Sequence, residues 1–149
     1  MDSLVISSIN NDEGYYTKIK TATHNFDADE PESLGGTDEG PTPMELTLGA
    51  LGSCTAITLK MYLKRKEADF EQLDVHIKSE VKKADESELS DEEKPFLIRG
   101  KIRFIYKKIY VTADMDDKLL NRLGDIAGKC PVNLLMNRNA VMKTEVIKN

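Results

Sequence analysis

Two residues of this chain could do chemistry that a backbone and a core cannot. Cys54 lies in the apolar run ALGSCTAITLKMY, and Cys130 follows 76 positions later in GKCPVNLLMN. A thiol can attack an electrophile, bind a metal or cycle between oxidation states, and in each case the thiolate is the reacting form. Three readings are open for the pair: buried thiols, metal ligands or a redox couple.

The core reading rests on spacing. Leu46, Ala50, Cys54, Ile57 and Met61 recur at three- and four-residue steps, which places them along one face of a helix. Free cysteine packs there as a small hydrophobe. The reactive reading needs a lowered thiol pKa, and the helix carrying Cys54 is a poor source of it. The residue sits roughly 18 Å from the helix start at about 1.5 Å per residue, whereas the helix-end field fades within one turn. Cys130 is better placed, because it immediately precedes Pro131 and so occupies an N-cap position beside unpaired backbone N–H groups. If the two segments pack together, that helix start serves both sulfurs. Gly49 and Gly52 would permit such an approach by a neighbouring element. A metal site would need Cys54, Cys130, His24 and His76, and neither C-x-x-C nor H-x-x-x-H spacing is present, so no metal is expected. His76 reads as a surface residue on the polar side of its strand.

The elements that must position these residues follow from pattern. SLVISSI and YYTKIKT are β-rich runs separated by the turn-forming NNDEG, and a third short strand is expected in HNFDAD, residues 24–29. EPESLGGTDEGPTP, residues 30–43, is a loop. Its glycines precede a helix, but it lacks the lysine of a phosphate-binding loop and its acids would repel phosphate, so its expected role is to position the helix start. The helix opens on Thr42 as N-cap, Pro43 in the first position and Glu45 closing a T-x-x-E capping box. It runs for roughly 24 residues, ends among Lys64, Arg65 and Lys66, and is apolar nearly all round, which calls for burial on more than one side. A second copy of the chain would provide that cover.

Residues 72–83, QLDVHIKSEVKK, alternate as a half-exposed strand, and 84–95 form an acidic connector. FLIRGKIRFIYKKIYVTA reads as a long strand or two with Gly100 as a bulge. Residues 115–129 form an amphipathic helix carrying Leu119, Leu120, Leu123 and Ile126. Pro131 opens a short helical turn, and AVMKTEVIK is expected to close the chain as a strand. The fold class is α+β, an antiparallel sheet packed on one long central helix within a single domain, residues 1–149.

Composition narrows the function. The chain has 149 residues, 40% hydrophobic, with a formal charge of −5 and no tryptophan. That suits a folded core and argues against a nucleic-acid surface, which needs a basic stripe or stacking aromatics. The acidic MDSLVISSIN lacks the basic residues of a secretory signal. The uncharged run from Glu45 to Lys60 has 14 residues, short of the ~20 that span a bilayer. A soluble, cytoplasmic protein without a membrane partner is expected, where paired cysteines are not a disulfide scaffold.

Residues 24–66, with ADEPESLGGTDEGPTPMELTLGALGSCTAITLKMYLKRK, and residues 126–132, IAGKCPV, resemble the OsmC/Ohr family, most closely the OsmC-like branch with H…ADEP, GPTPxEL and C-P-V. The resemblance implies an intertwined α+β homodimer and, for the peroxidase type, thiol-dependent reduction of organic hydroperoxides. It makes Cys54 the peroxidatic thiol and Cys130 the resolving one. The resulting disulfide would be reduced by an external dithiol, without metal or flavin. Glu45 and His24 are candidates to activate or orient the thiol. The chain departs from the peroxidase branch at two points: Met44, not a glutamate, follows Pro43, and no arginine precedes Arg65. The alternatives are a non-catalytic module binding a small apolar ligand at the dimer interface, and a redox sensor.

Overall fold

Strict alternation and capping residues account for most of the architecture seen in the computed structural model, which describes residues 4–12, 14–137 and 140–148. The chain divides into two compact units, Met1–Gly49 and Ala50–Asn149.

In the first unit, β1 (Ile6–Ser8), β2 (Thr17–Lys20) and β3 (Asn25–Ala28) form an antiparallel sheet in the order β1-β2-β3. Ser7 faces Ile19, and Ile19 faces Phe26. The following loop is organised by one carboxylate. Asp29, buried at 1% exposure, accepts hydrogen bonds from the backbone N–H of Glu30 (2.8 Å), Thr37 (2.9 Å) and Glu39 (3.2 Å), and from the Thr37 hydroxyl (2.6 Å). The Thr37 hydroxyl, followed by the backbone donors, outweighs the cost of burial and lowers its pKa to about 2. Gly36 completes the loop, since a Cβ there would lie 1.7 Å from the Glu30 carbonyl oxygen.

The central helix α1 (Pro43–Arg65) starts as its sequence dictates. Glu45 Oε2 accepts from the Thr42 N–H (2.8 Å) and hydroxyl (2.9 Å), while Thr42 Oγ1 accepts from the Glu45 N–H (3.2 Å). This is the reciprocal capping box. Its 23 residues are long and apolar enough to cross a membrane by length and composition alone, which the 14-residue uncharged run did not suggest. The helix nevertheless carries core residues of the second unit.

That unit is built on a two-stranded antiparallel ribbon, β4 (Gln72–Lys83) against β5 (Lys101–Thr112), paired over its whole length from Gln72–Thr112 to Lys83–Lys101. Gly100 is not a bulge. Arg99 and Gly100, at φ 50° and 70°, form a two-residue turn closed by reciprocal Ile98–Lys101 backbone bonds (2.8 and 3.0 Å). Both central residues at positive φ match the right-handed twist of a tight hairpin. The antiparallel strands thus form two sheets, where the sequence suggested one.

α2 (Asp117–Ala127) is capped by Asp116, whose carboxylate accepts from the Leu119 N–H at 2.7 Å. α3 (Pro131–Met136) follows directly. Leu59, Tyr62 and Leu63 of α1 pack with Leu123, Ile126 and Ala127 of α2, and Leu73, Ile109 and Val111 of the ribbon lie against them. Of the leucines expected on the inner face of α2, Leu120 is exposed. The strand expected over AVMKTEVIK is absent: residues 140–148 have no regular structure, and Val141, Met142, Val146 and Ile147 stand exposed. A β-prone segment forms a strand only when it pairs with an edge, and among the described residues this one pairs with none.

Candidate thiol site

An all-apolar helix has two faces that compete for the core, and here the face without cysteine wins. Leu51, Thr55, Leu59, Tyr62 and Leu63 are buried, while Ile57 and Met61 are 59% and 68% exposed. The spacing that grouped Cys54 with Ile57 and Met61 therefore marks an open face, and Cys54 is half-buried on it. At Gly52 the helix approaches β4, where an added Cβ would sit 3.5 Å from Ile77. At Gly49 it would meet open space.

Cys54 forms part of the wall of an apolar cleft of about 810 Å³, with Ile57, Met61, Ile126 and Val132. Arg65 and Lys129 also line it. Cys130, by contrast, has no solvent exposure. It caps α3 as the sequence predicted, its Sγ accepting from the Asn133 N–H at 3.3 Å. The neighbour of Cys54 on α1, Thr55, places its hydroxyl 3.5 Å from Cys130 Sγ.

A lysine completes the surroundings. Lys107 donates to the carbonyl of Ala127, the last residue of α2 (3.0 Å), and to Asn133 Oδ1 (2.8 Å), while Asn133 Nδ2 donates to the Gly128 carbonyl (2.9 Å). Burial pushes the Cys130 thiol up. The Thr55 hydroxyl, the Asn133 N–H, the Cys54 thiol and the Lys107 charge together outweigh that and bring it below the ordinary value. Burial likewise lowers the Lys107 pKa, and the charge on Cys130 opposes the shift.

Within the second unit the structure sets Cys54 on the cleft wall and its neighbour Thr55 against Cys130; the other two candidates belong to the first unit. Glu45 is occupied by the capping box, where the Thr42 N–H and hydroxyl hold its carboxyl below the usual range. His24 is exposed in the β2–β3 turn, with Nδ1 2.8 Å from the Thr23 hydroxyl and its N–H on Thr21 Oγ1. Among the described residues, no three His, Cys, Asp or Glu side chains gather as a metal site requires. Sequence reasoning missed Lys107, Thr55 and Asn133. For Lys107 a signal exists: in KIRFIYKKIYVT it falls on the parity of Ile105, Ile109 and Val111, a cation on the inward face of a strand.

One thiol is buried and anchored in a helix cap, and the residue adjacent to the other, which lines a cleft, lies against it. The model of the OsmC-like protein family matches residues 36–145, and the chain belongs to that family. No curated protein sequence matches it. Many solved structures are similar in fold, among them the following three. An OsmC-like protein from Mycoplasma pneumoniae has a TM-score of 0.65 at 12% identity, covering 92% of this chain and 88% of that one. An organic hydroperoxide resistance protein OsmC from Legionella pneumophila gives 0.63 at 13%, covering 93% and 91%. An organic hydroperoxide resistance protein from Elizabethkingia anophelis gives 0.65 at 13%, covering 93% and 90%.

Proposed function

We propose that the protein is a thiol-dependent peroxidase that reduces organic hydroperoxides, with Cys54 as the attacking sulfur and Cys130 as its resolving partner. One observation carries the reading: Thr55, next to Cys54 on α1, lies against the buried Cys130, and of the two thiols Cys54 is the one that lines the apolar cleft. The names of the Legionella and Elizabethkingia relatives point the same way.

The step balances without metal or flavin. Cys54 sulfur attacks the terminal oxygen of ROOH, the O–O bond breaks, and ROH departs with the thiol proton, leaving Cys54 as a sulfenic acid. Cys130 sulfur then attacks Cys54 sulfur and expels water, forming the disulfide. An external dithiol reduces it and is itself oxidised to a disulfide. The cleft favours an apolar R group, and its Arg65 and Lys129 would tolerate an acidic end. In turnover with dithiothreitol, cumene hydroperoxide is expected to be consumed well ahead of hydrogen peroxide at equal concentration. Equal rates would remove the cleft from the mechanism, and no turnover of either would contradict the reading.

The working form is a cytoplasmic homodimer, with a second copy covering Ile57, Met61 and the exposed C-terminal apolar residues. A single-chain mass in sedimentation at micromolar concentration would count against it. A second reading, an OsmC-fold module that binds an apolar ligand or senses redox state, draws on the engagement of Glu45 in the capping box. It leaves Cys54 without the acid that the peroxidase branch places after its proline. Slow oxidation of Cys54 by hydroperoxide, with no multiple turnover, would favour that reading.

A further inference from the structure

Lys107 stands on the inner face of the ribbon, opposite Ile77 and in line with Ile105, Ile109 and Val111. A lysine on an apolar face is costly unless partners meet its ammonium. Two neutral oxygens do so, the Ala127 carbonyl and Asn133 Oδ1. No carboxylate pairs with it among the described residues. The Lys107 charge and a thiolate at Cys130 favour one another, and the Cys54 thiol favours that thiolate too. Asn133 links the two: its side chain is held by Lys107 and Gly128, and its own N–H lies on Cys130 Sγ.

We propose that Lys107 is a positioning residue of the thiol site. With the Thr55 hydroxyl and the Asn133 N–H it stabilises negative charge on Cys130, so that an external thiol attacks the Cys54 side of the disulfide. This rests on the Cys54–Cys130 couple proposed above and decides how it is recycled. The thiolate of an external dithiol attacks Cys54 Sγ from the cleft, and the Cys54–Cys130 bond breaks. Its electron pair leaves on Cys130 Sγ as a thiolate. The reductant is now in mixed disulfide with Cys54, and its second thiol attacks its own sulfur and expels Cys54 as a thiolate. The protein gains two electrons and the dithiol becomes a disulfide. Exchange is faster when the departing thiol is the more acidic one and the attacked sulfur the more accessible one. Both criteria select the same direction here, because Cys130 has no exposed surface and its sulfur meets the Thr55 hydroxyl and the Asn133 N–H, the latter on the residue that Lys107 holds.

The test begins with the unaltered chain. Diamide joins the cysteines without any peroxide, 2-mercaptoethanol is added, the reaction is quenched in acid, and the mixed disulfide is mapped. The adduct is expected on Cys54. An adduct mainly on Cys130 would overturn the direction of attack, and failure of diamide to join the pair would overturn the couple itself. In a Lys107→Met variant, reduction of the disulfide by dithiothreitol is expected to slow at least about threefold. In the Cys54→Ser background the same change moves the 240 nm thiolate absorbance of Cys130 to higher pH. Lys107→Arg keeps rate and titration close to the parent chain. An unchanged rate and titration in Lys107→Met would dismiss the role of the lysine. If diamide gives this pattern and hydroperoxides still fail to form the disulfide, the peroxidase reading fails while this inference stands.

Discussion

Cys54→Ser is expected to lower hydroperoxide consumption by at least about 10²-fold, because a serine hydroxyl at neutral pH offers no comparable nucleophile. Cys130→Ser has a different signature. Cys54 is still oxidised, but nothing condenses with its sulfenic acid, so dimedone captures it as a stable adduct. Cys130 is also the cap of α3, and serine is a good cap, so the variant keeps its fold while it loses the resolving sulfur. Consumption of cumene hydroperoxide by the Cys54→Ser chain at the parent rate would remove Cys54 from the chemistry. Dimedone labelling on Cys130 in that variant would reverse the two roles.

The second large effect is on stability. Leu63 has no exposed surface and lies in the cluster that joins α1 to α2. Leu63→Ala deletes buried methyl groups and leaves a cavity, an expected cost of about 2–5 kcal/mol. Domains of this size are stable by only about 5–15 kcal/mol. The loss appears in urea as a lower unfolding midpoint at unchanged slope. The same cluster fixes α1 beside α2, whose end leads directly into Cys130. Leu63→Ala is therefore expected to slow disulfide formation too, although it touches neither sulfur. An unfolding free energy within a few tenths of a kcal/mol of the parent would mean that this cluster does not hold the unit together.

Local rules made much of the fold legible. Thr42, Pro43 and Glu45 announce α1, and the reciprocal hydrogen bonds of the capping box are present. Alternation over residues 72–83 gives β4 with its observed bounds. Cys130 before Pro131 announces the cap of α3, and its sulfur accepts the expected N–H. What pattern could not decide was which face of α1 turns inward, because an apolar helix offers no polar stripe to exclude one. Tertiary packing chose Leu51, Thr55, Leu59 and Leu63, and left Cys54 beside the cleft. The Gly100 bulge failed because Arg99 also adopts positive φ and makes a turn. The last strand failed because a strand needs a partner edge, which single-chain periodicity does not encode. Thr55 and Asn133 carried no sequence signal for the site: Thr55 meets Cys130 across 75 positions, and no spacing records such a contact. Lys107 was readable in principle, as a cation in phase with an otherwise apolar inward row.

The central claim is that Cys54 and Cys130 form one redox couple driven by an organic hydroperoxide. One equivalent of cumene hydroperoxide added to the fully reduced protein, followed by intact mass under non-reducing conditions, tests it most directly. The account predicts rapid loss of two hydrogens, with a Cys54–Cys130 peptide as the product. A mass unchanged over many minutes, with both thiols still titratable in denaturant, would contradict it.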